Sequence, residues 1–261
     1  VLSIVIPAHD EEADIAATVI AIAERLSAEA VPFEIVVVDD HSSDRTAAEV
    51  ARAGRSWPAV RCIPNLRRRG FGNAIHTGLE TFRGDAVCIV MADASDDPSD
   101  IVAFWRAIER GYDCAFGTRF TRAARVVDYP FLKLVMNRAA NAFIAALFRI
   151  HYNDVTNAFK CYRRDVITGI GPVLSHHFNI TVELPLKAIV RGYSWTVLPT
   201  HWYNRKQGVS KFKIKEMGSR YLFIVLYVLI EKWLSRGDYR RAHLGDAQAR
   251  TPFSDPESAK Q

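Results

Sequence analysis

Short apolar runs alternating with helix-spaced segments constrain this chain more tightly than any other feature it has. Residues 2–6 (LSIVI) form a β-branched run, and Ile15, Val19, Ile22 and Leu26 follow at the spacing of one helical face. Residues 33–38 (FEIVVV) predict a second buried strand, residues 44–53 a short helix after a Ser-rich entry, and residues 60–63 a third strand. Gly70-Phe71-Gly72 leads into a helix over 73–81, and residues 87–91 predict a fourth strand. Asp97 is a helix N-cap with Pro98 at the first helical position, and residues 113–117 close the pattern. Strands apolar on both faces and separated by helices make an α/β fold whose mostly parallel sheet is covered on both sides.

Ligands of such sheets bind beyond the carboxyl ends of the strands. His9, Asp10, Glu11 and Glu12 follow the first strand, Asp39 and Asp40 the second. Asp93, Ser95, Asp96 and Asp97 follow the fourth, and Thr118 and Arg119 the next. One acidic turn is an ordinary solvated loop; three on one edge, joined by an arginine, point to a functional edge.

The second half differs in character. Residues 131–148 predict a long helix, apolar over much of its surface, after a basic loop at 119–125. Residues 159–162 and 195–198 predict strands, and 181–191 a helix containing Pro185. Residues 201–211 (HWYNRKQGVSK) form a polar loop around Gly208, followed by an apolar helix over 214–233. From Gly245 the chain is polar, with Pro252 and Pro256, and a disordered tail is expected over 245–261.

Composition narrows the function. Of 261 residues, 49% are hydrophobic and 24% charged, which excludes a disordered chain. No run of about 18 consecutive apolar residues occurs, so no unaided membrane span is expected. The first residues lack the basic start and cleavage site of a signal peptide and predict a strand instead. Cys62, Cys88, Cys114 and Cys161 form no C-x-x-C pair and sit in apolar stretches, as reduced core thiols of a cytoplasmic protein do. No zinc motif is present. The net charge of +5 is too mild to indicate nucleic acid.

Neither G-x-x-x-x-G-K-[ST] nor a G-x-G-x-x-G after the first strand occurs, so P-loop and dinucleotide folds lack their phosphate cradle. Acidic loops instead suit ribose hydroxyls and a hard, oxygen-liganded cation such as Mg²⁺ or Mn²⁺ bridging to a diphosphate. Arg119, Lys133, Arg205 and Lys211 supply cations for phosphate oxygens.

The ordered series IVIPAHDEE, EIVVVDDHSSDRT, RRRGFGNAIHTGL, IVMADASDDP, FGTRF, DVTNAFKCYRR and NRKQGVSKF resembles family 2 glycosyltransferases of the GT-A fold. Within them it is similar to the dolichol- and polyprenol-phosphate mannosyltransferases, over residues 1–213. The resemblance implies a catalytic domain over 1–213; the apolar helix within 214–244 can pack under that domain, pair with a partner's helix or lie in a lipid interface. It implies donor contacts by Pro7, His9 and Glu11, with Asp10 standing where Asn is usual, and base and ribose contacts near Val38 and Asp40. Ala92 and Asp93 match the end of an Asp-Ala-Asp motif, and Ser95 lies within reach of the ion. Arg119 and Lys133 match phosphate-contacting positions, and Arg205 and Lys211 a loop that closes over donor and acceptor phosphates. Asp93, Arg119, Arg205 and Lys211 are thus the expected catalytic set, with Asp93 and Ser95 on the metal.

The implied reaction is inverting transfer of a hexose from a GDP- or UDP-sugar to a polyprenyl phosphate. A lipid phosphate is already an anion and attacks without a dedicated base, so the protein must hold two anions in line and stabilise the leaving diphosphate. Such a substrate favours a peripheral position on the cytoplasmic leaflet. Two alternatives stay open: transfer to a saccharide or small-molecule hydroxyl, and sugar-nucleotide binding without turnover. The second is motivated by Met91, whose soft thioether stands where relatives carry the first metal-binding Asp.

Overall fold

A computed structural model of the chain describes residues 1–203 and 214–241. The elements run β1 (Leu2–Ala8), α1 (Ile15–Ala28), β2 (Phe33–Asp39), α2 (Thr46–Ser56), β3 (Val60–Pro64), α3 (Phe71–Thr81), β4 (Ala86–Ile89), α4 (Pro98–Glu109) and β5 (Cys114–Thr118). They continue through β6 (Val126–Val127), α5 (Phe131–Phe148), β7 (Lys160–Arg163), α6 (Arg164–Gly169), α7 (Ile180–Val190), β8 (Trp195–Pro199), β9 (Trp202–Tyr203) and α8 (Ile214–Leu234). Seven strands form one sheet in the order β3-β2-β1-β4-β7-β5-β8, and β6 and β9 make a separate two-stranded ribbon.

The central strands are buried on both faces, which is why they carry continuous apolar runs. Ile4, Ile6, Ile35 and Val37 face one core, closed by Ile15, Val19 and Ile22 of α1 and Ile101 and Phe104 of α4. Val5, Val36 and Val38 face the other, closed by Ile75 of α3, Ile144 and Phe148 of α5, and residues of α7 and α8. Each fully buried Ile, Leu or Phe among these contributes about 1.5–3 kcal/mol relative to exposure.

β7 departs from the expected parallel pattern: it runs antiparallel to both β4 and β5. The cause lies just before it. Arg119, beyond the carboxyl end of β5, binds Asp154, which holds the segment ahead of β7 at that edge. β7 therefore starts at the carboxyl edge, Lys160 beside Ile89 and Phe116, and has to run back down the sheet.

α8 is continuous with this core and forms no separable unit. Ile224, Val225, Val228 and Leu229 are buried in it, and Lys232 Nζ donates to the carbonyl of Phe148 at the end of α5. Glu231 accepts from Arg191 Nε and Nη2 at 2.7 and 3.0 Å, and Arg191 also donates to the carbonyls of Gly169 and Gly171. The helix expected within 214–244 thus packs under the catalytic core; the expected tail at 245–261 lies outside the described residues.

A second correction concerns membrane-length helices. α5 is 18 residues long with two charges, Lys133 and Arg138, and meets the length and composition of a span. Counting only consecutive apolar residues hides it, because those charges and two asparagines interrupt the run. Core helices of soluble proteins pass the same test, but only 17% of α5 is buried.

The Arg191–Glu231 pair gives a direct test of how α8 is held. Its side chains are 4% and 6% exposed. Glu231→Ala leaves a buried guanidinium without its carboxylate and is expected to cost about 3–5 kcal/mol in urea unfolding. A change under about 0.5 kcal/mol would mean that α8 detaches freely.

Candidate active site

The loops after β1 and β2 are clasped together at the carboxyl edge. Asp10 Oδ1 accepts from the Ser43 N–H at 2.7 Å, the Asp10 N–H donates to Ser42 Oγ, and the Glu11 N–H donates to Thr46 Oγ1 at 2.9 Å. Glu12 accepts from the backbone and side chain of Arg45. Asp40, 5% exposed, accepts from Asn65 Nδ2 at 2.7 Å and the Gly70 N–H at 2.9 Å, which joins the turns after β2 and β3 to the start of α3. Its carboxylate therefore braces the edge. Asp10, His41 and Ala94 all have φ between 53° and 59° without being glycine, and all three lie in loops of this edge. Left-handed backbone clustered in this way marks a surface shaped for something other than stability.

The loop after β4 is held from both sides. Thr18 Oγ1 donates to the Ala92 carbonyl at 2.9 Å, and the Met91 N–H donates to Asp96 Oδ2 at 3.1 Å. Asp97 accepts from the Ser99 N–H at 2.8 Å with Pro98 following, so it is the helix cap the sequence predicts. Asp93 and Ser95 are 8% and 2% exposed, and the Ser95 N–H points to Asp93 Oδ1 at 3.3 Å. Burial pushes the Asp96 carboxyl up to about 7; Asp93 and Asp100 push the same way, while the Met91 N–H and Arg119 oppose them.

Among the described residues no group of three or more Asp, Glu, His or Cys forms a metal cage. The donors here are the carboxylates of Asp93 and Asp96 and the hydroxyl of Ser95. That set fits Mg²⁺ or Mn²⁺ only as Mg²⁺ is commonly held, by one or two carboxylates completed by substrate phosphates and water. A cation bound so would neutralise charge developing on the leaving diphosphate.

Beyond β5 the chemistry changes sign. Arg119, 10% exposed, donates to Asp154 through its backbone N–H at 3.0 Å, Nε at 2.9 Å and Nη2 at 2.8 Å. Burial works against its charge, yet Asp154 more than offsets this and holds the guanidinium above its ordinary value. Lys160 is also buried; its Nζ donates to the carbonyls of Val155, Asn157 and Thr181. The Thr181 carbonyl is available because Pro185, four residues on in α7, has no N–H to give it. Burial pulls the Lys160 amine down to about 7; three carbonyls match the three N–H bonds of an ammonium and oppose that pull. Asp154 faces both groups, and Asp96 acts on Arg119 as well. Lys133 Nζ lies 5.6 Å from the Tyr129 ring, and Arg119 lies 5.5 Å from the same ring.

β9 connects the two halves. Asp96 and Trp202 form a bridge, and the Tyr203 N–H donates to the Ser95 carbonyl at 3.0 Å. Val126–Val127 pair with Trp202–Tyr203 on the other side.

The expected residues are thus placed unequally. His9, Glu11, Asp93, Ser95 and Arg119 lie at the carboxyl edge, with His9 Nε2 3.3 Å from Asp10. Pro7 and Ala92 are buried there, so their backbone is what lies at the edge. The Val38 side chain is wholly buried in the core below α3, beside half-buried Asp39 at the carboxyl end of β2. Arg205 and Lys211 lie outside the described residues. Glu183 accepts from the Leu174 and Ser175 N–H groups and pairs with Lys187 at zero exposure, a structural role. Asp154, Lys160, Tyr129 and Asp96 received no role from the sequence. The DVTNAFK segment contains the first two, but nothing in it says that Asp154 meets an arginine 35 residues earlier.

A family model for "Glycosyl transferase family 2" matches residues 3–171. The chain belongs to this family. It is a glycosyltransferase of the α/β, GT-A type. Polyprenol monophosphomannose synthase of Mycolicibacterium smegmatis is 30% identical over 202 residues, 71% of this chain and 76% of that protein. Dolichol-phosphate mannosyltransferase of Pyrococcus furiosus is 30% identical over 219 residues, 82% of this chain; the match spans only 60% of that longer protein. Among solved structures, glucosyl-3-phosphoglycerate synthase of Mycobacterium tuberculosis superposes with a TM-score of 0.65 at 18% identity, covering 88% of this chain and 79% of that one. It has also been solved with Mg²⁺ and UDP. At that identity the likeness shows the fold.

The donor set predicts weak metal affinity in the free protein and metal-dependent donor binding by calorimetry, with Asp93→Ala losing activity. Met91→Asp should tighten metal binding without being needed for turnover. Full activity in excess EDTA would show that the basic residues alone carry the leaving group.

Proposed function

We propose that this glycosyltransferase moves a hexose from a nucleotide sugar to a polyprenyl phosphate with inversion at the anomeric carbon. The observation that carries the reading is the change of sign along the sheet edge: carboxylates beyond β4, buried cations beyond β5. A nucleoside diphosphate bridged by Mg²⁺ or Mn²⁺ suits the first, and a second anion the other. An anionic phosphate nucleophile needs a positive environment and no base. Arg119, Lys133 and, from the segment that follows Tyr203, Arg205 and Lys211 are assigned to the phosphates. His9, Glu11 and Asp39 are assigned to the nucleoside side. The names of the two sequence relatives favour mannose as the sugar and a polyprenol-type phosphate as the acceptor.

One observation favours a second reading. A carboxyl at about 7, as at Asp96, suits a general base for a hydroxyl acceptor. Incubation with labelled GDP-mannose or UDP-glucose and a short polyprenyl phosphate separates the two. The lipid-phosphate reading expects a labelled lipid product; transfer only to sugar hydroxyls would replace it.

We also assign the chain to a membrane surface, on the cytoplasmic leaflet. Phe131, Leu132, Val135 and Phe143 of α5 and Phe223, Ile230, Trp233 and Leu234 of α8 are exposed, and the two helices meet at Phe148 and Lys232. Arg138, Arg149, Arg236 and Arg240 add positive charge. Apolar residues beside basic ones are the composition of an interfacial surface. In flotation with anionic liposomes the protein is expected to rise with the vesicles and to be partly released by salt. Sedimentation without vesicles at every salt concentration would remove this assignment.

A further inference from the structure

Tyr129 lies in the turn between β6 and α5, after Asp128 at a φ of 56° and before Pro130. Its ring packs on Trp202 with centroids 5.1 Å apart and meets Phe120 edge-on at 6.4 Å. Arg119 and Lys133 sit 5.5 and 5.6 Å from the same ring centroid. The phenolic oxygen is shielded from solvent, and the group that reaches it is the Arg119 guanidinium, which can only donate, so the O–H has no acceptor among the described residues. Its neighbours explain why its proton finds no acceptor. A guanidinium only donates, and Asp154 already receives three N–H groups from Arg119. A buried hydroxyl without an acceptor destabilises the protein that carries it, so a residue of this kind beside two cations is better matched to a ligand than to the empty fold.

We propose that Tyr129 is a binding residue for the acceptor phosphate, its O–H donating to a non-bridging oxygen of the monoester that Arg119 and Lys133 attract. The inference rests on the polyprenyl-phosphate reading above. The supporting geometry is convergence: the Arg119 guanidinium, oriented by Nε and Nη2 on Asp154, and the Lys133 ammonium both stand at the Tyr129 ring. A neutral donor also has a chemical advantage there. Every cation on the attacking phosphate lowers its nucleophilicity, whereas a phenol orients an oxygen with less withdrawal of charge. Burial raises the phenol's pKa, so it remains protonated and able to donate at neutral pH.

Tyr129→Phe tests this, because it keeps the ring and both cation contacts and removes one hydroxyl. The KM for a short polyprenyl phosphate is expected to rise about tenfold or more, the worth of a hydrogen bond to a charged group, with donor affinity within about twofold. The thermal midpoint should be equal to or above that of the wild type, an outcome that a structural role for the hydroxyl would reverse. Titration of inorganic phosphate and of a short phosphate monoester, followed by calorimetry, reads the site without turnover and should show the same loss. Equal phosphate affinity in Tyr129→Phe and wild type, or a lowered midpoint, would overturn the role of Tyr129 alone. A wild-type protein that neither binds a phosphate monoester nor glycosylates one would overturn the acceptor reading and this inference with it.

Discussion

A carboxylate removed from water, Asp154, organises the half of the sheet that the alternating pattern leaves undetermined. It has no exposed surface and accepts three N–H groups from Arg119. The pair ties the chain ahead of β7 to the end of β5, and from that anchor follow the reversed direction of β7 and the burial of Lys160 beside it. Breaking a buried pair by removing one partner costs about 3–5 kcal/mol, because the remaining charge is stranded.

The edge is divided electrostatically in a way that suits two anions held apart. Beyond β4, burial raises the Asp96 carboxyl to about 7, with Asp93 and Asp100 adding to the shift, an arrangement that a divalent cation would relieve. Beyond β5, Asp154 holds Arg119 charged, with the Lys160 amine beside it. The ribbon of β6 and β9 joins these regions, since Trp202 is bridged to Asp96 and packed on Tyr129.

The helices that cover the second core serve two environments. α8 turns Ile224, Val225, Val228 and Leu229 inward and leaves Phe223, Ile230 and Trp233 exposed, and α5 buries mainly Asn141, Ile144 and Phe148. Neither surface is explained by packing among the described residues. Helices of this kind can anchor a catalytic edge beside a lipid substrate while remaining part of the fold, which is why α8 could not be split off as an appendage.

The alternating apolar pattern by itself determined the first five strands, because a strand buried on both faces has to be apolar throughout, and their carboxyl-end acids followed from the chain direction. Small differences have local causes. α2 begins at Thr46 where 44 was expected, since the Asp44 carboxylate accepts the Thr46 N–H, and β4 ends at Ile89 because the Met91 N–H turns to Asp96. The motif series also sufficed to place Asp93, Ser95 and Arg119 at one edge. Only the tertiary structure decided the direction of β7, the burial of the Val38 side chain, the partner of Arg119, the packing of α8 on the core and the lack of an acceptor for the Tyr129 O–H. Each depends on a contact between residues far apart in the chain, such as Asp154 with Arg119 or Glu231 with Arg191, and periodicity reports only which residues share a face.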